Sequence, residues 1–230
     1  MALIGGWEGY PHYFRFRGNR EFILDEIINH YIYLAKPSQL NDPFDCYFGL
    51  IEIPDDSTFL RRAQYEVYKN QLGISRQEAR EMAREAPLEE ILSLYSDAVT
   101  GFIEKMGVSS FAVAPSNLAM WYSYADNHQG VCIQYDARKD NFFKSIKPVE
   151  YKSEFKKVNI TDSSSQDFKV FSEKAAEHLF FSKSTAWESE KEFRVVGYSG
   201  KAILSPESMT RVLYGINCDE DFIKEVMVRN

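Results

Sequence analysis

Three glutamates at alternate positions, Glu188, Glu190 and Glu192, lead into the apolar run Phe193-Arg194-Val195-Val196. On a strand, side chains two apart share a face, so this spacing predicts carboxylates crowded on one side of the chain as it enters a sheet. Like charges that close repel and can raise a pKa. Such a group either faces water or does chemistry. Glu188 reads as readily as a solvated charge, whereas Glu190 and Glu192 are the candidate catalytic pair.

Arg15 and Arg17 also stand two apart, in the alternating run Tyr13-Phe14-Arg15-Phe16-Arg17. A strand there would turn both guanidinium forks to one side, a clamp suited to phosphate or pyrophosphate, and send Phe14 and Phe16 into the core. Solvated arginines on an edge strand are the plain alternative. Trp121 and Tyr124 lie three apart on a predicted helix and share its face, as core or as a wall for a flat ring. His128, beside Gly130 in the loop that ends this helix, offers a polar contact. In Asn41-Asp42-Pro43-Phe44-Asp45 the acids fit a compact turn better than a catalytic role.

Several chemistries have no signature here. The chain lacks a Walker A loop, a GxGxxG after a strand, a GxSxG elbow and an HExxH helix. His12, His30, His128 and His178 have no mutual metal-ligand spacing, so no metal site is expected.

These residues need a scaffold, and the sequence predicts an α+β one with a mixed, mainly antiparallel central sheet and flanking helices. Strands are expected at Tyr13 to Arg17, Ile32 to Leu34, Phe48 to Ile53, Ser109 to Ala114, Val131 to Tyr135 and Val149 to Tyr151. Glu192 to Tyr198 and Lys201 to Leu204 read as a hairpin around Ser199-Gly200, followed by a strand at Arg211 to Tyr214. Helices are expected at Glu21 to His30, with Phe22, Ile23, Ile27 and Ile28 apolar, and at Ser116 to Ala125, Asp167 to Ser182 and Asp219 to Val228. A turn at Gly18-Asn19 and a loop tip at Asp162 to Ser165 punctuate the pattern. From about 55 to 107 the chain is rich in Glu, Arg, Ala and Leu, with a capping box at Ser75-Arg76-Gln77-Glu78 and Pro87 set for a first turn. Two or three helices inserted into a single domain spanning 1–230 follow. The elements do not alternate as regular βαβ units, which favours α+β over a doubly wound sheet.

The 230 residues are 44% hydrophobic and 27% charged, enough for one sizeable core, and the 14 tyrosines and 17 phenylalanines supply much of it. A formal net charge of -7 disfavours a general nucleic-acid binder while leaving room for a local basic patch. Cys46, Cys132 and Cys218 are isolated, without CxxC spacing, which fits a reducing cytoplasm. The first residues do not read as a signal peptide, and no apolar run is long enough to span a bilayer.

The ordered set Arg15-Phe16-Arg17, Asn41-Asp42-Pro43-Phe44-Asp45, Met120-Trp121, Tyr124-Ala125, His128-x-Gly130, Lys183, Trp187, Glu190-x-Glu192 and Arg194 resembles the bacterial and phage family known as domain of unknown function 2971. The resemblance runs from about Tyr13 to Gly215. One departure is Arg15-Phe16-Arg17, where the family usually has Lys-Tyr-Arg. The order of arginine strand, aromatic segment and late Glu-x-Glu is also similar to ADP-ribosyltransferases. That second resemblance implies NAD as co-substrate, with Arg15 or Arg17 on its pyrophosphate, Trp121 and Tyr124 at the nicotinamide or its ribose, and His128 as a further cofactor contact. Glu192 would hold the ribose and stabilise an oxocarbenium-like centre, and Glu190 would orient or deprotonate the acceptor.

The expectation is therefore an ADP-ribosyltransferase-like enzyme, a toxin or phage-defence effector acting on an unidentified macromolecular acceptor. Two alternatives stand beside it. One is a non-catalytic nucleotide-sensing or protein-interaction module, in which the carboxylates and arginines pair with each other. The other is a metal-dependent nucleic-acid-processing enzyme using Asp42, Asp45, Glu190 and Glu192.

Overall fold

The computed structural model describes residues 10–18, 20–52, 56–155, 157–159 and 176–229. In chain order the elements are β1 (His12–Arg17), α1 (Arg20–Ile28), β2 (Tyr31–Leu34), β3 (Ile51–Glu52), α2 (Ser57–Gln71), α3 (Arg76–Glu85), α4 (Leu88–Lys105), β4 (Met106–Phe111), α5 (Leu118–Tyr124) and β5 (Val131–Asp136). There follow β6 (Lys147–Pro148), β7 (Glu150–Lys152), β8 (Val158–Asn159), β9 (Ser182–Ser184), β10 (Phe193–Tyr198), β11 (Gly200–Ile203), β12 (Met209–Tyr214) and α6 (Glu220–Arg229). The chain divides into two compact units, one of residues 1–41, 106–153 and 181–230, the other of 42–105 and 154–180.

The first unit is built on antiparallel ladders, β1-β5-β12 and β4-β10-β6, with β11 on β2 and a parallel pair of β7 and β9. Single bridges, Phe14 to Ala112 and Ala35 to Val108, join β1 and the end of β2 to the β4 strand line. This is the expected α+β, mainly antiparallel arrangement. The hairpin expected around Ser199-Gly200 does not form. β10 pairs along its length with β4 and at Phe193 and Arg194 with β6, whereas β11, from Gly200 (φ 122°), pairs with β2.

Period-2 alternation splits the unit's core in two. One cluster gathers Tyr13, Val131, Ile133, Tyr135, Phe111 and Val195 with Ile23 and Ile27 of α1 and Phe222 and Val226 of α6. The other gathers Phe14, Phe16, Cys132 and Ala112 with Met120, Trp121 and Ala125 of the α5 segment. On α1, Ile23, Glu26 and Ile27 are the buried residues, at i, i+3 and i+4. Phe22 and Ile28, the other two apolar residues at helical spacing here, are exposed.

In the second unit, Asp56 caps α2 by accepting from Phe59 N, and Ser75 and Glu78 form the expected reciprocal capping box on α3. Arg61 Nη1 donates to the carbonyls of Ala83 (2.8 Å) and Ala86 (3.2 Å) and also to that of Arg84, so one side chain satisfies the end of α3. β3 and β8 pair in parallel there, although Phe48–Leu50, expected as strand, is a 3-10 turn. The loop tip 162–165, most of the expected helix 167–182, Ile53 and Asn19 lie outside the described residues. Residues 176–180 are helical with Leu179 buried, and Ser182 belongs to β9.

Candidate functional site

Lys183 sits on β9, opposite Tyr151 of β7. Directly after it, Ser184 caps a 3-10 turn, Thr185–Glu190, accepting from Ala186 N at 3.3 Å. That turn ends at Lys191 in the left-handed conformation, φ 48° and ψ 51°, before β10 begins at Phe193. Glu188 and Glu190 therefore lie on a helical turn, and the predicted strand face shared by three glutamates does not exist. Glu188 is exposed. Glu190 and Glu192 nevertheless meet, because the left-handed residue redirects the chain between them.

Their meeting point is the Lys183 ammonium. Its Nζ donates to Glu190 Oε2 at 2.7 Å and to Glu192 Oε2 at 3.1 Å. Arg194, two residues on along β10, grips Glu192 with a fork: Nε to Oε1 at 2.7 Å and Nη2 to Oε2 at 3.1 Å. All four side chains are 2% exposed or less. Two cations and two carboxylates sum to zero charge, which makes such burial tolerable. Ser110, the residue opposite Arg194 on β4, adds a side-chain hydrogen bond to Glu192, and Tyr151 Oη accepts from Glu192 N at 2.8 Å.

Glu190 has a different boundary. Tyr124 Oη donates to its Oε1 at 3.0 Å, and Asn41 Nδ2 approaches Tyr124 Oη at 3.5 Å. Asn117 ties the two elements together. Its Oδ1 caps α5, accepting from Ala119 N and Met120 N, while its Nδ2 donates to the carbonyls of Ser189 (2.9 Å) and Glu190 (3.1 Å). Trp187 covers Lys183, with Nζ 5.0 Å from its ring centroid.

These surroundings drive the two carboxyls apart. Burial alone would raise the Glu192 pKa, but the Arg194 guanidinium, then Lys183 and Ser110, outweigh it and hold it at about 2. For Glu190 burial prevails: its pKa is raised despite hydrogen bonds from Lys183 and Tyr124, with the Glu192 charge adding to the rise. Burial opposes the charge of Lys183, yet the carboxylates beside it keep its pKa above the ordinary value. The Tyr124 phenol is pushed up by burial.

Trp121 belongs to the same side of the sheet, but as core. Its ring meets Phe16 edge-on (centroids 5.1 Å), stacks on His128 at 5.6 Å and 8°, and donates Nε1 to the Pro115 carbonyl at 2.7 Å. His128 ends a run of three left-handed residues, Asp126, Asn127 and His128, at φ 48°, 50° and 66°. L-residues adopt this conformation singly rather than in runs. The segment is pinned by His128 N donating to Trp121 O (3.2 Å), Asn217 N donating to His128 O (3.0 Å) and Gly130 N donating to Ala125 O (2.8 Å).

Arg15 and Arg17 do not join this group. They occupy the alternate positions of β1, on the face of Tyr13, and both reach Glu26 of α1. Phe14 and Phe16 point into the core as expected, in the cluster that holds Trp121. The predicted set thus separates: Tyr124, Glu190 and Glu192 come together, Trp121 and His128 stack behind them, and the arginines lie on the opposite face of β1. Asp42 serves its own turn, its Oδ1 accepting from Phe44 N at 2.9 Å.

Sequence reasoning gave no role to Asn117, Ser110, Tyr151 or Glu26, named Lys183 only within the family resemblance, and gave Arg194 only as a partner of the carboxylates in the non-catalytic reading. Asn117 had a readable signal, since an Asn ahead of an apolar helix is a capping residue. Ser110 and Tyr151 had none, because only the pairing of distant strands brings them here.

Residues 120–195 match the family model described as Protein of unknown function (DUF2971). No curated protein and no solved structure matches the chain. The matched segment, about a third of the chain, runs from α5 into β10 and carries Trp121, Tyr124, His128, Lys183, Glu190, Glu192 and Arg194, and its model is that of the family the sequence resembles.

Proposed function

We propose that the chain is an enzyme whose proton chemistry runs at Glu190, with Tyr124 as its hydroxyl partner and Glu192 as a fixed anion behind it. The observation that carries this is the split between two carboxyls sharing one lysine, one held at about 2 and the other raised. Such divergence is how one site keeps an acid–base group beside a permanent charge. The reaction to test first is ADP-ribosyl transfer from NAD, because cleavage at that ribose builds positive charge that carboxylates stabilise. The roles differ from those the sequence suggested. Both oxygens of Glu192 are engaged by Arg194 and Lys183, so Glu190 is the carboxyl that would act at the ribose or its acceptor. Arg15 and Arg17 supply no pyrophosphate clamp to this face. A cytoplasmic toxin or phage-defence effector remains the proposed setting, with a macromolecular acceptor of unassigned class.

A second reading has its own support. Four charges that neutralise each other at 2% exposure or less are what a non-catalytic module would use to fix its fold. Nicotinamide release from NAD by the purified chain separates the two, with Glu190→Gln and Tyr124→Phe as variants and circular dichroism melts as the folding check. Release that falls by about 10²-fold or more in folded Glu190→Gln supports the enzyme. Absence of both NAD binding and turnover in the wild type removes the transferase reading and leaves the module. Glu192→Gln is a poor control, because it strands two buried cations.

A further inference from the structure

The two arginines outside that site form a second charged group, and its charges do not balance. Glu26, fully buried on α1, meets Arg15 Nη1 with Oε1, and its Oε2 lies 2.9 Å from Arg17 Nε. Arg15 Nη2 donates to the Tyr33 carbonyl at 3.1 Å, and the Tyr135 ring system borders the same guanidinium. Among the described residues no second carboxylate pairs with either arginine. Of the neighbouring acids, Asp25 is engaged by Lys201, Tyr31 and Asn29, Asp136 by Arg138 and Asp219 by Arg20, while Asp126, exposed beside Gly18, makes no ion pair with either arginine. Two cations therefore share one anion, leaving an excess of one positive charge in a largely buried setting.

The excess is presented at one place. Arg15 is used through both terminal nitrogens. Arg17 is held through Nε alone, and its two terminal nitrogens have no partner among the described residues. Its side chain is 26% exposed, so that end reaches solvent. The strand end behind it is fixed, because Gly130 packs so closely that a Cβ there would lie 2.0 Å from the Arg17 carbonyl oxygen. We infer that the Arg17 end of this cluster is a binding site for a phosphate-type oxyanion, on the face of β1 opposite the Glu190 site. A guanidinium fork with both terminal nitrogens available matches two oxygens of one phosphate. The anion would supply the charge that Glu26 cannot, and desolvated cations gain most from such a partner.

The test is calorimetric titration of the purified full chain, without NAD, with inorganic phosphate at low ionic strength. Chloride and acetate at equal ionic strength are the comparisons, and pyrophosphate and ADP-ribose are run in parallel. Saturable phosphate binding that chloride and acetate do not reproduce is expected, weakened about tenfold or more in Arg17→Gln. Arg17→Lys keeps the charge, loses the fork and should fall between the two. Arg17→Gln leaves Arg15 and Glu26 as a balanced pair, so it folds, and a thermal melt verifies this. Tighter binding of pyrophosphate or ADP-ribose identifies a nucleotide phosphate as the source of the ligand, and a preference for inorganic phosphate identifies the free ion. No saturable heat beyond chloride, or unchanged affinity in folded Arg17→Gln, overturns the inference. The measurement omits NAD, so its outcome is independent of whether Glu190 turns NAD over.

Discussion

Replacing Lys183 with Met, an apolar chain of similar length, tests the electrostatic account of the Glu190 site directly. Glu192 would lose a 3.1 Å contact but keep the Arg194 fork, so it stays ionised. Glu190 would lose its 2.7 Å donor and keep Tyr124 Oη. Glu190 is then the stranded group. Removing one partner of a buried ion pair costs about 3–5 kcal/mol. A carboxyl has a way out that a guanidinium lacks, which is to take up a proton. Its pKa is already raised by burial, and without Lys183 it rises further. In the unfolded chain it titrates near the ordinary value, about 4.3. Between those two values the folded variant holds a proton that the unfolded chain has lost. The contribution of this group is thus fully present below about pH 4.3 and is lost as pH rises through the folded pKa, by about 1.4 kcal/mol per pH unit.

The deficit of Lys183→Met against wild type should therefore be largest near about pH 8 and shrink by several-tenths to about 2 kcal/mol towards about pH 5. Urea unfolding followed by fluorescence of Trp121 and Trp187 reads it, since Trp187 covers Lys183 and Trp121 lies in the adjoining core. A cycle with Glu190→Gln should show coupling of about 2 kcal/mol or more, because the second change removes the stranded charge. A deficit that is the same at every pH, or below about 1 kcal/mol at the alkaline end, refutes the view that Lys183 sustains a buried charge on Glu190.

Three other outcomes follow from named contacts. Glu192, held at about 2 against an ordinary 4.5, contributes stability that is present above about pH 4.5 and lost as pH falls towards 2. Acid unfolding of the wild type should show that loss, of about 3 kcal/mol. Gly130→Ala drives a Cβ to 2.0 Å from the Arg17 carbonyl oxygen, and Gly215→Ala does the same against the His128 carbonyl. Each should lower stability in a chemical melt by about 1–3 kcal/mol or more, whereas unchanged midpoints would contradict the close approach. Lys191 is exposed and left-handed at φ 48°, so Lys191→Gly should be neutral or stabilising by up to about 1 kcal/mol, and Lys191→Val destabilising by about 1–2 kcal/mol.

Much of the scaffold was readable because its signals are local. The alternation in Tyr13 to Arg17, the capping box at Ser75 and Glu78, and the helix-rich stretch before Met106 each specify their element within a few residues. The hairpin around Ser199-Gly200 was misread for the opposite reason. Two apolar runs flanking a Ser-Gly turn look alike whether the runs pair with each other or with strands elsewhere. The choice fell to β4, β6 and β2, all far away in sequence. The glutamates show a third situation. Strand parity singled out Glu190 and Glu192, yet Glu190 lies in a 3-10 turn and the parity does not apply. What unites them is Lys183, whose part in the cluster depends on β9 lying beside β7 and on the fold of the turn after it.

The same logic explains why the arginines were grouped with the glutamates in sequence and are separated in space. Alternation on β1 correctly places Arg15 and Arg17 together and opposite Phe14 and Phe16. It says nothing about which face later receives the glutamates. That was decided when β10 docked on β4 with Phe193 and Val195 turned towards Phe111 and the main core, which sends Glu192 and Arg194 to the side of Ala112, Phe14 and Trp121. Each charged group then had to be neutralised on its own face. On the glutamate face the count closes, two cations against two anions. On the arginine face it does not, because α1 brings a single carboxylate to two guanidinium groups. A balanced buried cluster needs nothing further to be stable, and in the proposed enzyme its chemistry rests on Glu190, the carboxyl whose pKa burial raises. An unbalanced cluster gains from any anion that can reach it, and the inferred oxyanion site at Arg17 rests on that gain.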